Sequence, residues 1–538
     1  MRRIVPLLCA AALAACADSP VEVTRAPAPR LIATKGVSAA ARHVVLLSSS
    51  ARDDFTRAVE SLGGNVVAHH DGVGFAVVEG LSGGGATQLA RARGVQAVEP
   101  DLVAQVVEPR VFTVETGGDV ADVGPASSSD PTTAFRFPRQ WNMRAIGAPA
   151  AWAAGRLGSA SVKVAILDSG TDDAHLDLQG RVDAGRSASF LPTSSVAAAI
   201  ASGDCFNPTD HELINGRPAF AISPTKSCAA LPAFFPGEPA WADLNGHGTY
   251  TGGIVSSNAI RLAGVTSKVT LMAVKVLNAR GSGAFSAILQ GVAFATDNGA
   301  DVINMSLGAV FLRHGGYIGF LNAITRYAHS RGVTIVVAAG NEGIDLDHSG
   351  GIYQSFCSSG MVICVSATGP VIARVSLPDG AVSVDGPFFL PTPDEPAIYS
   401  NFGTSSVEVA APGGNYALNA AGTAVVSAVT LWSPCSNTVL DYHPAAVPPG
   451  SPPGTPPTPP FYTKSVCTTS NIAISQAVGT SAAAPHVSGL AALLVEDLGR
   501  NPGQIRTTLQ QTADDLGKPG ADPHYGKGRI NVPRALGL

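Results

Sequence analysis

The chain has 538 residues, of which 45% are hydrophobic and 14% are charged, and its formal net charge is −5. This length is enough for two or three domains, and the high hydrophobic fraction excludes a largely disordered chain. The weak net charge gives no reason to expect a nucleic acid or another polyanion as a partner. With 59 Gly and 39 Pro residues, the chain is expected to be rich in turns and loops.

The N-terminus has the features of a targeting segment. Two arginines precede an apolar run, residues 4–13, that is too short to remain as a membrane-spanning helix. The run ends in Leu13-Ala14-Ala15-Cys16, which resembles a bacterial lipobox. This resemblance implies removal of a signal peptide, residues 1–15, and a lipid on Cys16 as the chain's contact with a membrane. The alternative is an ordinary signal peptide with a chance cysteine, and either reading predicts an exported protein.

Export places the chain in an oxidising compartment, where cysteines tend to form disulfides. Apart from Cys9 and Cys16, six cysteines remain in the sequence. Their proximity along the chain favours the pairs Cys205–Cys228, Cys357–Cys364 and Cys435–Cys467. Six cysteines allow many other connectivities, so the pairing is left open, and the spacings are unlike those of a zinc site.

The first third of the chain is predicted to hold one small domain between two polar segments. Residues 16–41 are rich in proline and alanine and are expected to be a tether. Residues 42–106 predict a small α+β domain with the ferredoxin-like order β-α-β-β-α-β. Its strands are expected near residues 44–47, 65–69, 74–78 and 95–98, and its helices near 52–62 and 86–93. Residues 107–138 are predicted to be a linker, because polarity rises there and Gly, Ser, Asp and Pro accumulate.

From residue 139 onward, short continuous apolar runs alternate with helical stretches. Continuous Val, Ile and Ala runs indicate strands that are covered on both faces, and the alternation predicts an α/β domain with a mostly parallel sheet and helices on both faces. The strands are expected at 162–167, 269–277, 302–305, 333–338 and 362–367, and the helices at 285–298, 319–331 and 482–494. In such sheets the working residues lie beyond the carboxyl ends of the strands. Two inserts, near 185–243 and 434–467, carry no recognisable chemistry.

Three short motifs in this domain carry candidate chemistry. The run Val164-Ala165-Ile166-Leu167-Asp168 ends a buried strand in a carboxylate, and a glycine turn follows. The motif Asn245-Gly246-His247-Gly248-Thr249 flanks a histidine with glycines, so that another chain segment can approach its ring closely. The motif Gly479-Thr480-Ser481-Ala482 places a serine at the start of a buried helix, where N–H groups and the helix dipole favour negative charge. Each motif alone has an ordinary alternative: a turn cap, a surface histidine and a helix cap.

Together, the three motifs resemble those of the subtilisin-like serine peptidases, and they follow that family's chain order of Asp, His and Ser. The resemblance covers about residues 140–530. It implies that Ser481 is the nucleophile, that His247 is its general base and acid, and that Asp168 orients the imidazole. The chain order and the Gly-Thr-Ser-Ala context argue against an α/β-hydrolase lipase or esterase. A catalytically silent surface lipoprotein that has retained the fold is the other alternative.

The resemblance also implies a set of binding residues. Asn341 matches the family's oxyanion-hole amide, with the backbone N–H of Ser481 as the second donor. The segment Ser306-Leu307-Gly308 matches the one that pairs with the substrate backbone as an added strand. Together with Ala338-Ala339-Gly340 it would wall the primary pocket. Because these segments are small and hold no acidic residue, they predict broad cleavage after apolar side chains.

The resemblance extends, more weakly, to the small domain. It implies that residues 42–106 are an inhibitory prodomain of a zymogen, with a generic binding domain as the alternative, and that maturation cleavage falls within 107–138. Protein and peptide substrates are implied, and no organic cofactor is needed for the chemistry.

A structural calcium ion is a further hypothesis. Asp177 matches a calcium ligand of many relatives, although the segment after the histidine motif is shorter than theirs. Asp345, Asp347 and His348 are a second candidate, with solvated loop carboxylates as the alternative. One further departure is that Tyr250 stands where the family has histidine, so we expect different packing near His247.

Overall fold

The structure is a computed structural model that describes residues 42–48, 52–105, 110–115, 127–191, 213–214, 217–218, 239–278, 281–309, 311–312, 315–353, 356–370, 394–418, 425–429, 431–434, 440–443, 461–464 and 472–538. Outside these ranges lie the predicted signal segment and tether, part of the linker, most of the two inserts, and Cys16, Cys205, Cys228, Cys435 and Cys467. Within the described ranges, no helix combines the length and apolarity needed to cross a bilayer.

The strands and α-helices of the described residues follow a regular alternation in the second half of the chain. The strands are β1 (His43–Leu47), β2 (Asn65–His70), β3 (Phe75–Glu79), β4 (Val95–Pro100), β5 (Val103–Gln105), β6 (Arg110–Glu115), β7 (Lys163–Asp168), β8 (Ala188–Ser189), β9 (Leu213–Ile214), β10 (Arg217–Pro218), β11 (Thr270–Lys275), β12 (Ser282–Ala284), β13 (Val302–Met305), β14 (Phe311–Leu312), β15 (Thr334–Ala338), β16 (Ile352–Tyr353), β17 (Ile363–Gly369), β18 (Glu395–Pro396), β19 (Val409–Pro412), β20 (Asn415–Leu418), β21 (Val425–Val429), β22 (Leu431–Pro434), β23 (Leu440–His443), β24 (Phe461–Lys464) and β25 (Ile474–Val478). The helices are α1 (Arg52–Ser61), α2 (Gly83–Leu89), α3 (Trp141–Ala145), α4 (Ala148–Ala153), α5 (His247–Val255), α6 (Phe285–Asp297), α7 (Tyr317–Ser330), α8 (Thr480–Leu498), α9 (Pro502–Gln511) and α10 (Val532–Ala535). The predicted elements are present, and their ends differ from the predictions by four residues or fewer.

Residues 43–100 form a four-stranded antiparallel sheet with the order β2-β3-β1-β4. Alternate residues of β1 point to opposite faces of this sheet, as the period of a strand requires. Val45 packs against α1 and α2 in the small core, beside Phe55 and Leu89. Val44 and Leu46 instead join the apolar cluster of α6 and α7. The sheet is therefore covered on one face by its own helices and on the other by two helices of the large domain.

The large domain is built on an eight-stranded sheet with the order β18-β17-β15-β13-β7-β11-β8, and β19 pairs with β17 beside this path. The neighbouring strands are parallel except β17 and β18. In β7, Val164 and Ile166 pack with α5 and α8, whereas Ala165 and Leu167 pack with α6 and α7. The predicted mostly parallel sheet with helices on both faces is confirmed, and burial on two sides explains the continuous apolar runs.

Several local features were not predicted from the sequence. Strand β6 lies inside the segment predicted to be a linker, where it pairs with β25. Short antiparallel pairs, β9 with β10 and β23 with β24, lie inside the two inserts.

One predicted disulfide, Cys357–Cys364, is formed. It joins the segment before β17 to that strand.

The strand that ends at Asp168 and the helix that begins at His247 meet through glycines. A Cβ atom at Gly248 would overlap the carbonyl oxygen of Gly170. Gly170 itself has φ +117°, and a Cβ there would overlap the Trp241 carbonyl oxygen. Only glycine allows this approach, because its backbone carries no side chain that would have to be displaced. The spacing between the two site segments therefore depends on Gly248 and Gly170.

We expect Gly248→Ala to lower the free energy of unfolding by about 2 kcal/mol or more, because backbone atoms must shift to make room. Gly252→Ala in the same helix is the matched control. Its Cβ would lie 3.4 Å from its nearest neighbour, Leu271 Cδ1, and alanine stabilises a helix by up to about 1 kcal/mol over glycine. Denaturant unfolding followed by circular dichroism measures both variants, and equal stabilities would contradict the prediction.

Candidate active site

Asp168, His247 and Ser481 lie at the ends of three elements of the large domain. Asp168 is the last residue of β7, His247 is the first residue of α5, and Ser481 is the second residue of α8, which packs against α5. Their exposed fractions are 0%, 4% and 1%. Thus the three residues of the sequence motifs are buried at the carboxyl edge of the sheet, where the parallel strands end.

The carboxylate of Asp168 binds the imidazole of His247 directly. His247 Nδ1 lies 2.8 Å from Asp168 Oδ1 and 2.9 Å from Oδ2. Because a carboxylate only accepts hydrogen bonds, Nδ1 carries the proton, which makes Nε2 the basic nitrogen of the neutral ring. Asp168 Oδ1 also accepts the backbone N–H of Ser169 at 2.7 Å. The imidazole is thereby held in one tautomer and one orientation.

The Ser481 hydroxyl is buried and has no hydrogen-bond partner among the described residues. It stands in the first turn of α8, a helix of 19 residues, where N–H groups lack partners within the helix. A nucleophile at this position would develop negative charge next to the positive end of the helix dipole. A hydroxyl here can attack a carbonyl group if an imidazole accepts its proton.

A buried carboxylate that the sequence analysis missed, Asp243, ties these segments together. Its Oδ1 accepts from the Ser169 hydroxyl at 2.8 Å and from the Gly246 N–H at 2.8 Å. Its Oδ2 accepts from the backbone N–H and hydroxyl of Thr249, at 2.8 and 2.6 Å. Asp243 thus fixes the start of α5 relative to the residue that follows Asp168. An acidic residue four positions before the histidine is the signal that could have identified it.

A buried ammonium group lies on the other side of Asp168. Lys275 pairs in register with Asp168 across the parallel strands β11 and β7, and it is fully buried. Its Nζ donates to the carbonyl oxygens of Ser169, at 2.6 Å, and Leu277, at 3.0 Å. The positive charge offsets part of the cost of burying carboxylates in this region.

The side chain of Asn341 faces the start of α8. Its Oδ1 accepts from both the backbone N–H and the hydroxyl of Thr480, each at 2.8 Å. The Thr480 hydroxyl accepts in turn from the Gly340 N–H at 3.1 Å. These bonds fix the orientation of the amide, with the Nδ2 donors on its opposite side. The residue predicted to complete an oxyanion hole is therefore held one residue from Ser481.

The segment Ser306-Leu307-Gly308 follows β13 and contacts the same turn. The Ser306 hydroxyl donates to the Ser481 carbonyl oxygen at 2.9 Å and accepts from Asn304 Nδ2 at 3.0 Å. Asn304 Oδ1 accepts from the Ser488 hydroxyl, two turns along α8, at 2.9 Å. The sequence analysis did not single out Asn304 and Ser488, which fasten α8 to the end of β13.

An acidic side chain lies beside the segment Ala338-Ala339-Gly340. Asn401 Nδ2 donates to the Ala339 carbonyl oxygen at 3.0 Å and to Glu342 Oε2 at 2.6 Å, and its Oδ1 accepts from the Glu342 N–H at 3.1 Å. A Cβ at Gly340 would overlap the Asn401 amide and lie 2.7 Å from Glu342 Oε2. Burial raises the pKa of Glu342 above its usual range, which favours the neutral acid. Neither Glu342 nor Asn401 was identified from the sequence.

The described donor set at Asp177 does not fit a calcium ion. Asp177 Oδ1 accepts the backbone N–H groups of Ile260, at 2.8 Å, and Arg261, at 2.9 Å, and Oδ2 accepts that of Leu262 at 3.2 Å. Calcium requires six to eight oxygen ligands, and N–H groups in their place would repel it. The carboxylate instead organises the loop after α5, and burial raises its pKa.

The second metal candidate is engaged in protein contacts. Asp347 accepts from the backbone and hydroxyl of Ser405 and from the Ser406 hydroxyl, at 2.7–2.8 Å, and His348 Nδ1 lies 2.8 Å from Asp345. Within the described part of the chain, no three His, Cys, Asp or Glu side chains form a group that could hold a metal ion.

Comparison with known proteins identifies related chains. Residues 159–528 match the model of the subtilase family, Peptidase S8. Subtilisin DY of Bacillus licheniformis is 31% identical over 306 residues, which cover 56% of this chain and 82% of that protein. Thermitase of Thermoactinomyces vulgaris is 26% identical over 409 residues, covering 76% of this chain and 99% of the relative.

Solved structures share the fold. The epidermin leader peptide processing serine protease of Staphylococcus aureus aligns with a TM-score of 0.59 at 19% identity, covering 93% of this chain and 98% of that one. Fervidolysin of Fervidobacterium pennivorans aligns with a TM-score of 0.56 at 20% identity, covering 93% of this chain and 61% of that one.

The buried histidine of α8, His486, predicts acid sensitivity of the fold. Its Nδ1 donates to the Ala482 carbonyl oxygen, and its Nε2 lies 2.9 Å from Asn142 Nδ2. Because an amide nitrogen only donates, Nε2 accepts this bond, and the ring is neutral. Burial lowers its pKa from 6.5 to about 4. In the unfolded chain His486 therefore takes up a proton near pH 6.5, whereas in the folded chain it remains neutral down to about pH 4. Because the unfolded state binds more protons between these values, the free energy of unfolding falls as the pH decreases through this window. The full effect is about 3 kcal/mol.

We expect His486→Gln to remove most of this loss between pH 6.5 and pH 4, whereas His329→Gln, at an exposed position, retains it. Urea unfolding at several pH values, with Ser481 replaced by alanine in all variants, measures the effect. The assignment is wrong if both histidine variants lose the same stability on acidification.

Proposed function

This chain belongs to the subtilase family and is a subtilisin-like serine peptidase, and we propose that it works as an exported endopeptidase made as a zymogen. The observation that carries the catalytic assignment is the Asp168–His247 pair, which lies at the strand end and helix start of two family motifs. Ser481 is the nucleophile, His247 the general base and acid, and Asp168 the orienting carboxylate. The steps use only protein groups and water.

The first half of the reaction acylates the enzyme. Ser481 Oγ attacks the peptide carbonyl carbon while His247 Nε2 takes the hydroxyl proton, and Asp168 stabilises the resulting imidazolium. The oxyanion is bound by Asn341 Nδ2 and the Ser481 N–H, which need not reorganise because Thr480 holds the amide in place. His247 then gives the proton to the leaving amine, and water hydrolyses the ester by the reverse sequence.

The Ser481 hydroxyl forms no hydrogen bond to His247 in this structure. Catalytic hydrogen bonds are often long or absent without substrate and shorten only in the substrate complex. Contacts of α8 with the end of β13 hold the start of this helix in place. The Ser306 hydroxyl holds the Ser481 carbonyl oxygen, and Ser488 and Asn304 hold the helix two turns further on.

Residues 42–106 act as the inhibitory prodomain in this proposal, and the contacts of the described part of this segment support it. The Asp101 carboxylate accepts from the backbone N–H and hydroxyl of Ser286, at 2.9 and 2.6 Å, in the first turn of α6. Glu99 Oε1 accepts the Gly316 N–H at 2.6 Å, at the start of α7. Both carboxylates sit where the helix dipole favours negative charge. The domain is thereby docked on two helix N-termini at once.

The end of the small domain provides the blocking element. Strand β5 pairs antiparallel with β12, and Ala104 is fully buried opposite Gly283. An extended segment that adds to an exposed strand is the way in which peptidases bind their substrates. A covalently attached strand at this edge competes with any substrate at very high effective concentration.

The proposed specificity is broad, with a preference for apolar side chains before the hydrolysed bond. The segments Ser306-Leu307-Gly308 and Ala338-Ala339-Gly340 offer small side chains and no ionised group. Glu342 is the nearby acid, and its raised pKa keeps it neutral toward lower pH.

Export and lipid attachment at Cys16 rest on the N-terminal sequence pattern. The alternative function is a silent surface lipoprotein, which the intact Asp168–His247 pair disfavours.

We expect Ser481→Ala to lower kcat/KM on casein by about 10⁴-fold or more, because alanine has no hydroxyl to form the acyl-enzyme. The variant should also escape labelling by a fluorophosphonate and accumulate as the uncleaved precursor. Ser161→Ala, an exposed serine far along the chain, is the matched control. Absence of labelling in the folded, mature wild type would favour the silent alternative, and normal processing of purified Ser481→Ala would exclude self-cleavage.

We expect the relative rate of cleavage after lysine to increase with pH because of Glu342. The raised pKa means that this carboxyl ionises only as the pH rises, and its negative charge then attracts a cationic side chain. Two peptides that differ only in lysine or leucine before the hydrolysed bond measure the ratio of kcat/KM values, from which the titration of His247 cancels. The ratio should rise by about tenfold as the pH increases through the ionisation of Glu342 and stay constant in Glu342→Gln. A wild-type ratio that does not change would refute the role of Glu342.

A further inference from the structure

The two oxygen atoms of the Asp168 carboxylate have different donors. Oδ1 accepts from the backbone N–H of Ser169 at 2.7 Å and lies 2.8 Å from His247 Nδ1. Oδ2 lies 2.9 Å from His247 Nδ1 and 3.4 Å from the hydroxyl oxygen of Thr251. A carboxylate that is buried as completely as Asp168 is stable only when protein groups donate to its oxygens. Besides the imidazole, the Thr251 hydroxyl is the donor that the described residues place next to Oδ2.

Helix α5 presents both of these donors to Asp168. Thr251 follows His247 by four residues, and residues four apart lie on the same face of an α-helix. Thr251 is also fully buried. A buried hydroxyl needs a hydrogen-bond acceptor, because its transfer out of water is otherwise costly. The helix that positions the imidazole therefore carries a second group that faces the same carboxylate.

The Thr251 hydroxyl has one proton and two acceptors within reach. Besides Asp168 Oδ2, the carbonyl oxygen of Gly248 lies 3.1 Å from the hydroxyl oxygen. In an α-helix that carbonyl also accepts the N–H four residues further on, so it does not depend on the hydroxyl. The carboxylate is the stronger acceptor because it is ionised. The proton is therefore shared in a three-centre bond, and Asp168 gains a donor from it.

A donor at Oδ2 affects the base of the reaction. Hydrogen bonds to a carboxylate stabilise its negative charge, so the carboxylate attracts a positive charge nearby less strongly. The imidazole of His247 acquires such a charge when it takes up a second proton. With the Thr251 hydroxyl in place, His247 then stays neutral to a lower pH and remains available as a base.

We propose that Thr251 is a positioning residue of the active site, whose hydroxyl holds Asp168 Oδ2 and extends catalysis toward lower pH. Its effect reaches the reaction through Asp168 and His247, and it makes no contact with the substrate. This inference rests on the proposed function, because it takes His247 to be the general base. It extends that function by giving the pH range of the enzyme a determinant outside the three catalytic side chains.

Other titratable groups surround the pair, and their charges do not depend on Thr251. On the neighbouring segments these groups are Asp172, Asp243, Tyr250, Lys275 and His486. The hydrogen bonds described for Asp243, Lys275 and His486 do not include Thr251 as a partner. Burial raises the pKa of Tyr250, which keeps its phenol neutral. A change in pH dependence after substitution of Thr251 therefore reports on the Asp168–His247 pair.

Thr251→Val tests the inference, because valine replaces the hydroxyl by a methyl group of similar size. The measurement is kcat/KM on a peptide p-nitroanilide with leucine before the hydrolysed bond, across the pH range of the acidic limb. We expect the midpoint of this limb to move upward by about half a pH unit in Thr251→Val and to return to the wild-type value in Thr251→Ser. Titration with a fluorophosphonate counts the competent enzyme in each sample, so partial loss of folded protein does not alter the result.

Thr296→Val is the matched control. Thr296 is a buried threonine of α6, and its hydroxyl donates to the Val292 carbonyl oxygen at 2.7 Å. We expect its substitution to lower stability and leave the midpoint unchanged, as loss of a hydroxyl bound only to a helix carbonyl should do.

The inference is wrong if Thr251→Val keeps the wild-type midpoint or moves it downward, or if Thr296→Val moves it by the same amount. Should Thr251→Val not accumulate in folded form, Thr251→Ala removes the hydroxyl with less volume and is judged by the same midpoint. A wild-type protein that is labelled by the fluorophosphonate but shows no shift on substitution retains the proposed function and refutes the role of Thr251. A folded, mature wild type without labelling refutes the proposed function and this inference with it.

Discussion

The hydrogen bond from His247 to Asp168 is the interaction on which the rest of the site depends. It joins the end of a buried strand to the start of a buried helix, and both partners are removed from water. A buried carboxylate is stable only when donors surround it, so the segments that carry these donors must be placed closely. Gly248 and Gly170 permit the approach, and Asp243 maintains it through five donors from the Ser169 side and the α5 side.

A second set of contacts holds the start of α8, which carries the proposed nucleophile Ser481. The first turn of α8 is held at the Ser481 carbonyl by Ser306 and at Thr480 by Asn341. Ser306 and Asn341 follow the ends of the neighbouring parallel strands β13 and β15, so the sheet determines where the helix begins. A sheet edge and a helix terminus are both rigid, which explains why groups far apart in sequence can be held within hydrogen-bonding distance of each other.

The fold could be predicted from the sequence, and the principal candidate site residues could be proposed from it, because their signals are local. Continuous apolar runs such as Val302–Met305 report burial on both faces, and each motif occupies one strand end or helix start. The residues that were missed act through long-range contacts. Asn401 contacts Ala339 and Glu342 across some sixty positions, and nothing near it in the sequence indicates this.

Two further differences have similar causes. Asp177 was considered as a calcium ligand, but the shorter loop after α5 brings its own N–H groups to the carboxylate. Strand β6 was not predicted, because its partner β25 lies more than 350 residues away and its flanking residues are polar.

The position of β6 at the border of a three-stranded sheet has a consequence for solubility. In the order β22-β25-β6, it covers an edge of β25 that would otherwise present unpaired N–H and C=O groups. Such an edge can recruit a strand from another molecule and so promote aggregation. A chain that carries its own covering strand is protected until a foreign polypeptide displaces it.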